Sequence, residues 1–172
     1  QKRGQNTIND IFTKLRTLYL WAIEVGKTHN NPFKGYSVEE CVYGTPYYIS
    51  IDERNQLYKA DLSKRPPLAV QRDIFVFQCL IGCRVGDLYK MTKANIMNDA
   101  IEYVPRKTKD GRPVTVRVPL NATAKEILDR YPDGPKLLPF ISEQKYNDAI
   151  KDMFRLAELT RLVTIINPTT RE

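Results

Sequence analysis

The spacing of apolar residues predicts a chain built mainly from helices. Apolar side chains recur every three or four positions over residues 7–25, 67–81, 121–131 and 143–159, which is the period of helices that bury one face. The segment 67–81 is the most apolar of the four. It is therefore predicted to form the centre of the core.

Polar residues and glycines mark where these helices begin and end. Ser, Thr, Asp and Asn side chains cap free N–H groups at helix N-termini, and glycine favours the C-terminal turn. A further short helical turn is predicted over about 86–91. The predicted start and stop residues are Thr7 with Asp10, Ser50 with Glu53, Asn121, Ser142, Gly26 and Gly82.

The period changes to two over residues 100–118, which predicts a pair of strands. Apolar residues alternate with polar ones on both sides of Asp110-Gly111, a dipeptide typical of hairpin turns. The predicted fold class is therefore mainly α with a small antiparallel β-hairpin or sheet, an α+β arrangement.

The charge of the chain is positive and unevenly distributed. The 172 residues carry 27 Lys and Arg against 20 Asp and Glu, a net charge of +7, and the excess lies in residues 1–36 and 63–120. Clustered positive charge is suited to nucleic-acid phosphates. Acidic proteins, anionic membrane surfaces or a merely basic surface would satisfy the same charge balance.

Cysteine and histidine are too few and too scattered to predict a metal site. The three cysteines form no Cys-x-x-Cys pair, and His29 is the only histidine. We therefore expect reduced cysteines, no metal cofactor and a cytoplasmic protein. No run of residues is apolar enough to predict a membrane span.

Arg84 is the first candidate for chemistry. It stands between Gly82 and Gly86 where the most apolar helix gives way to a short turn, so we expect it to be partly desolvated and to need an anionic partner. That partner is either Asp87, in a pair that only closes the turn, or an oxyanion of a ligand that the guanidinium would contact through two hydrogen bonds.

The predicted hairpin is the second candidate. Five basic residues and one acid lie between 106 and 117. A basic two-stranded ribbon can enter a DNA groove or bring a lysine to a phosphate, although basic hairpin tips are also common as solvated turns.

Taken in order, these elements resemble the catalytic domain of the tyrosine recombinases, the integrases of phages and related mobile elements. The family's first catalytic arginine lies in a Gly-x-Arg-x-x-Glu/Asp-Leu segment, which corresponds to 82–88. Its catalytic lysine lies on a hairpin that corresponds to 107–120. The helix before Asn31-Pro32-Phe33 is similar to the last helix of the family's core-binding domain.

The resemblance implies a domain division and a set of roles. Residues 1–36 would be the C-terminal helix of a core-binding domain, 37–49 a linker and 50–172 a partial catalytic domain. Arg84 and Lys107 would be catalytic, and Asp87 would orient Arg84. Contacts to double-stranded DNA would come from Lys14, Arg16, Arg106, Lys109 and Arg112. A protein of this family would be nucleoid-associated.

The family's chemistry needs neither ATP nor metal. A tyrosine attacks a DNA phosphodiester, and a 3′-phosphotyrosyl link stores the bond energy until a 5′-hydroxyl reverses the step. Arginines would stabilise the charge on the phosphate oxygens, and Lys107 would protonate the leaving oxygen.

The chain departs from the family pattern after Lys107. The family continues with His-x-x-Arg, a further His or Trp, and the nucleophilic Tyr, whereas here His29 and Trp21 both precede Arg84. Tyr131 and Tyr146 follow Lys107 but fall on predicted apolar helix faces. We therefore expect a monomeric piece of a longer recombinase, cut before these motifs and inactive alone, from a parent that works as a tetramer on paired DNA sites.

Two other classes of function remain open at this stage. One is a noncatalytic DNA-binding module derived from an integrase, which would bind DNA without cutting it. The other is a basic protein-interaction domain with no nucleic-acid role.

Overall fold

The computed structural model describes residues 4–38, 40, 41, 43, 44, 46, 48–107 and 111–164. These residues form two compact units. The first comprises the residues up to Tyr48 together with those from Leu162, and the second comprises Ile49–Arg161. The assignment of 1–36, 37–49 and 50–172 to parts of a recombinase stays a prediction.

The described residues are mainly helical, with one small antiparallel sheet, and the predicted α+β fold class is confirmed. None of their helices is long and apolar enough to cross a membrane. In chain order the elements are α1 (Gln5–Glu24), α2 (Ile51–Lys59), α3 (Pro66–Ile81), α4 (Val85–Leu88), β1 (Ile96–Met97), β2 (Ala100–Tyr103), β3 (Val116–Pro119), α5 (Ala122–Asp129) and α6 (Glu143–Leu156).

In the first unit, α1 starts two residues earlier than predicted. Gly4 is its N-cap and supplies no side-chain hydrogen bond. The Thr7 N–H already donates to the Gly4 carbonyl at 3.0 Å, so the predicted Thr7–Asp10 capping pair is wrong. Gly26, with a φ of +69°, follows the helix as predicted, because a left-handed turn there costs glycine little.

An aromatic cluster packs α1 against the segment that follows it. The Phe33 ring lies 6.4 Å from Phe12, 5.7 Å from Tyr19 and 6.4 Å from Tyr36, measured between ring centroids. The rest of the predicted apolar stripe is not buried within this unit, and Leu18 is 55% exposed.

In the second unit, α3 lies at the centre of the core, as its composition predicted. Ile74 and Phe77 are fully buried, and Ile81 is 5% exposed. They belong to one buried cluster that draws on α4, the sheet, α5, α6 and the loops between them. Its members include Leu88, Ile101, Leu120, Ile127, Leu137 and Tyr146.

The sheet has the strand order β1-β2-β3, and both pairs are antiparallel. The predicted pairing is confirmed, with Ile101 opposite Val118. The sequence interpretation missed β1, which a two-residue turn joins to β2. Asn98 and Asp99 form that turn with φ values of 47° and 58°, a conformation that Asn and Asp tolerate better than most residues.

The predicted caps of the later helices are confirmed. The Ser50 hydroxyl accepts the Glu53 N–H at 3.1 Å, and the Glu53 carboxylate accepts the Ser50 N–H at 2.6 Å. The Asn121 side chain accepts from Ala124 N at 2.8 Å. Two lengths differ from the prediction: α4 covers only Val85–Leu88, and α6 ends at Leu156 rather than near 159.

A buried carboxylate on α3, that of Asp73, is the centre of a polar network that joins three helices. One oxygen of Asp73 accepts two hydrogen bonds from Arg72, and the other accepts Arg130 Nη1 at 3.0 Å and the Tyr131 hydroxyl at 2.9 Å. Arg130 also lies over the Tyr58 ring of α2. This network links α2, α3 and the end of α5.

Candidate functional site

Arg84 connects α3 to α4. Gly82 ends α3 in the left-handed conformation, with φ 67°, so the chain leaves the helix within two residues. Arg84 then adopts extended dihedrals as the N-cap of α4. Its carbonyl oxygen accepts the N–H groups of Asp87 at 3.0 Å and Leu88 at 2.9 Å.

The Arg84 side chain is exposed, and the expectation that it is partly desolvated is wrong. The left-handed turn at Gly82 ends the buried helix before Arg84, so the burial of α3 does not extend to it. Its guanidinium makes no ion pair among the described residues. It is therefore accessible to an anion from outside the unit.

Asp87 has a different partner from the predicted one. It is 6% exposed, and its Oδ1 accepts the backbone N–H of Arg106 at 3.0 Å. No Arg84–Asp87 ion pair occurs in the described part of the chain, so neither the predicted turn-closing pair nor direct orientation of Arg84 by Asp87 is present. Its Oδ2 is buried and has no hydrogen-bond partner within the described residues.

The Asp87–Arg106 bond brings α4 beside the segment 104–115, called here the β2–β3 loop. Arg106, Lys107 and Arg112 are exposed on this loop. Lys109 and Asp110 lie outside the described residues, so the predicted turn at Asp110-Gly111 is described only at Gly111. A cavity of about 410 Å³ lies between α4 and the loop.

Lys90 lines the same cavity, although the sequence analysis did not single it out. It is exposed and follows α4 by two residues, and the cavity lining also includes Asn95, Tyr103 and Arg106. The available signal was its position six residues after Arg84, beyond a helix too short to separate the two widely.

Lys14 and Arg16 lie on α1 in the first unit, and both are exposed. Lys14 forms an ion pair with Asp10 at 2.6 Å, with its side chain 74% exposed. Such an exposed pair contributes little stability. Lys14 could therefore leave Asp10 for another anion at little cost.

Tyr146 is a core residue, as predicted, and Tyr131 is half-buried and packs against the same core. The Tyr146 hydroxyl donates to Gln78 Oε1 at 2.9 Å, and the side chain is 1% exposed. Burial raises its pKa, and burial with the hydrogen bond to Asp73 raises the pKa of Tyr131 to about 12. Both hydroxyls are thus occupied and hard to ionise, which makes them poor nucleophiles.

Comparisons with known proteins give matches among solved structures. No protein-family model matches the chain, and no curated protein matches it. A lambda integrase (75–356) dimer bound to a COC′ core site superimposes with a TM-score of 0.65 and 17% identity, over 91% of this chain and 60% of that one. The chain thus spans about 60% of the length of that integrase structure.

Two further lambda integrase structures are similar. A tetramer bound to a Holliday junction has a TM-score of 0.57 and 20% identity over 88% of this chain and 46% of that one. The catalytic core alone has a TM-score of 0.52 and 20% identity over 73% of this chain and 77% of that one. At these identities the comparison establishes architecture, and the chain has the fold of the lambda integrase structures.

Proposed function

We propose that this chain is part of a tyrosine recombinase that binds double-stranded DNA and, in its full-length form, cleaves and rejoins DNA strands. One observation carries the proposal. The fold of the integrases occurs here together with an exposed arginine at the start of α4, and the Asp87–Arg106 bond joins α4 to the loop that bears Lys107.

The proposed chemistry assigns one role to each basic side chain. A tyrosine oxygen of the full-length protein forms a bond to phosphorus while the bond from phosphorus to the 5′-oxygen breaks. Arg84 stabilises the charge on the nonbridging oxygens, and the Lys107 ammonium gives its proton to the leaving 5′-oxygen. A 5′-hydroxyl reverses the step, so no external energy source is consumed.

This chain by itself is proposed to bind DNA as a monomer without cutting it. After Lys107 it has no histidine or tryptophan. Its two tyrosines there, the half-buried Tyr131 and the buried Tyr146, both have hydrogen-bonded hydroxyls. Phosphate contacts are assigned to Arg106, Lys109 and Arg112 of the β2–β3 loop and to Lys14 and Arg16 of α1. The full-length protein is proposed to act as a tetramer.

Salt-dependent DNA binding tests the proposal on this chain directly. The logarithm of the binding constant should fall linearly with the logarithm of salt concentration, by about 0.9 per phosphate contacted. Arg112→Gln should reduce the magnitude of that slope by about 1, the effect of losing one phosphate contact. Arg155→Gln serves as the control and should leave the slope unchanged, because Arg155 lies on the exposed face of α6 with Asp152 as its partner.

The outcomes separate the three classes of function. A folded chain without DNA affinity at low salt would contradict the proposal and favour a protein-interaction domain. DNA binding by a full-length protein that forms no covalent complex with cleaved DNA would indicate the noncatalytic module.

A further inference from the structure

The β2–β3 loop has a single polar attachment to the rest of its unit in the part of the loop that the structure describes. Between Tyr103 and Val116, where the strand pairing stops, the hydrogen bond from Arg106 N to Asp87 Oδ1 is the one that reaches another element. The donor residue adjoins Lys107 in the chain. The position of Lys107 therefore depends on this bond more than on strand pairing.

The acceptor of this bond, the Asp87 carboxylate, is buried at a cost in folding stability. Asp87 is 6% exposed, and its second oxygen is buried with no partner among the described residues. A buried carboxylate oxygen without a partner lowers the stability of the fold, and a functional role would explain why the residue is kept. An apolar residue here would avoid that penalty but would leave the Arg106 N–H without its acceptor.

We propose that Asp87 is a positioning residue for Lys107, acting through the Arg106 backbone N–H rather than through Arg84. This rests on the proposed function, in which Lys107 is the general acid. Helix α4 would then position Arg84 by its N-cap backbone and Lys107 by the Asp87 side chain. One four-residue helix would set the positions of both catalytic groups.

Two substrates distinguish this role from a merely structural one. The first is an ordinary DNA site, and the second carries sulfur in place of the 5′-bridging oxygen, so that the leaving group needs no proton. In the full-length protein at saturating DNA, Asp87→Ala should slow cleavage of the ordinary site by about tenfold or more, part of the ~10²–10⁴-fold that a positioned general acid supplies. Cleavage of the sulfur substrate should stay near the wild-type rate.

A second pair of variants tests the same bond from its other end. Arg106→Pro removes the N–H donor and leaves Asp87 intact, so it should reproduce the substrate dependence of Asp87→Ala. Arg106→Ala keeps the N–H and corrects for the lost side chain. Asp87→Asn keeps an acceptor oxygen and should restore most of the activity lost in Asp87→Ala. Asp148→Ala, on the exposed face of α6, serves as an unrelated control.

Amide hydrogen exchange in this chain measures the contact without any catalysis. The Arg106 N–H should exchange faster in Asp87→Ala than in the wild type. Unchanged exchange would overturn the positioning contact alone, and equal loss of cleavage on both substrates would assign Asp87 to Arg84 or to the fold instead. A wild-type full-length protein that cleaves neither substrate would overturn the proposed function and this role with it.

Discussion

Among single residues, Arg84 combines an exposed side chain with a guanidinium group suited to binding a phosphate. A guanidinium at the N-cap of a short helix, unpaired within the described residues, can offer two parallel donors to a phosphate. A lysine at the same position would keep the charge but supply only a point contact. The bidentate geometry, rather than the charge, is therefore what the proposed role requires.

Arg84→Lys tests that requirement in the full-length protein. We expect covalent complex formation to fall by at least about 100-fold, the loss typical of removing one donor to a transition-state oxyanion, while the DNA dissociation constant changes little. Gel assays of the protein–DNA adduct and of binding measure the two quantities. Near-normal adduct formation by this variant would contradict the assignment.

Lys107→Ala tests the general acid in the same way. Cleavage of an ordinary phosphodiester should slow by about 10²-fold or more, because no proton reaches the leaving oxygen. Cleavage of the substrate with a 5′-bridging sulfur should be nearly normal. Equal loss on the two substrates would show that Lys107 serves binding or structure instead.

At the level of helices and strands, side-chain caps fix where α2, α5 and α6 begin. The capping box of α2 is reinforced by Arg161, whose Nε lies 2.7 Å from Glu53 Oε1. The Arg161 guanidinium and the Ser50 N–H lower the pKa of Glu53 from 4.5 to about 2. The start of α2 is thus tied to the end of its unit by one carboxylate.

This lowered pKa makes the stability of the second unit depend on pH. A carboxyl group whose folded pKa lies below its unfolded pKa stabilises the fold above the unfolded value. That contribution should be lost as pH falls from about 4.5 towards 2. Glu53→Gln should flatten this part of the curve of urea midpoint against pH, and a variant that keeps the wild-type slope would refute the role of Glu53.

At the scale of the whole molecule, buried polar groups hold the helices of the second unit in one arrangement. Asp73, with its side chain 3% exposed, compensates charges on both Arg72 and Arg130. Every oxygen of this carboxylate is hydrogen-bonded, in contrast to Asp87. The difference separates a carboxylate that serves the fold from one that we assign to function.

Asp73→Asn tests the structural role. Removing one partner of a buried ion pair leaves uncompensated charge, so we expect the free energy of unfolding to fall by about 3 kcal/mol. Urea denaturation of this chain measures the change. The control Asp148→Asn alters an exposed pair with Lys151 and should change stability by less than about 1 kcal/mol.

Local patterns of residues were enough to predict several of the helices and strands. The apolar period located α3 and its place in the core, the side chains of Ser50, Asn121 and Ser142 located helix starts, and alternation located β2 and β3. Each of these depends on residues close together in the chain. The same locality explains why Tyr131 and Tyr146 could be assigned to the core.

Contacts between side chains that lie far apart in the chain could not be predicted, because they depend on how the elements pack. Asp87 and Arg84 are three residues apart, so the sequence offered a local pair as one of two alternatives. The carboxylate instead accepts a backbone N–H nineteen positions away. The sequence also did not predict the exposure of Arg84 or the bond between Asp73 and Arg130, which are fifty-seven positions apart. Burial and long-range hydrogen bonds arise from packing, which the order of residues along the chain does not display.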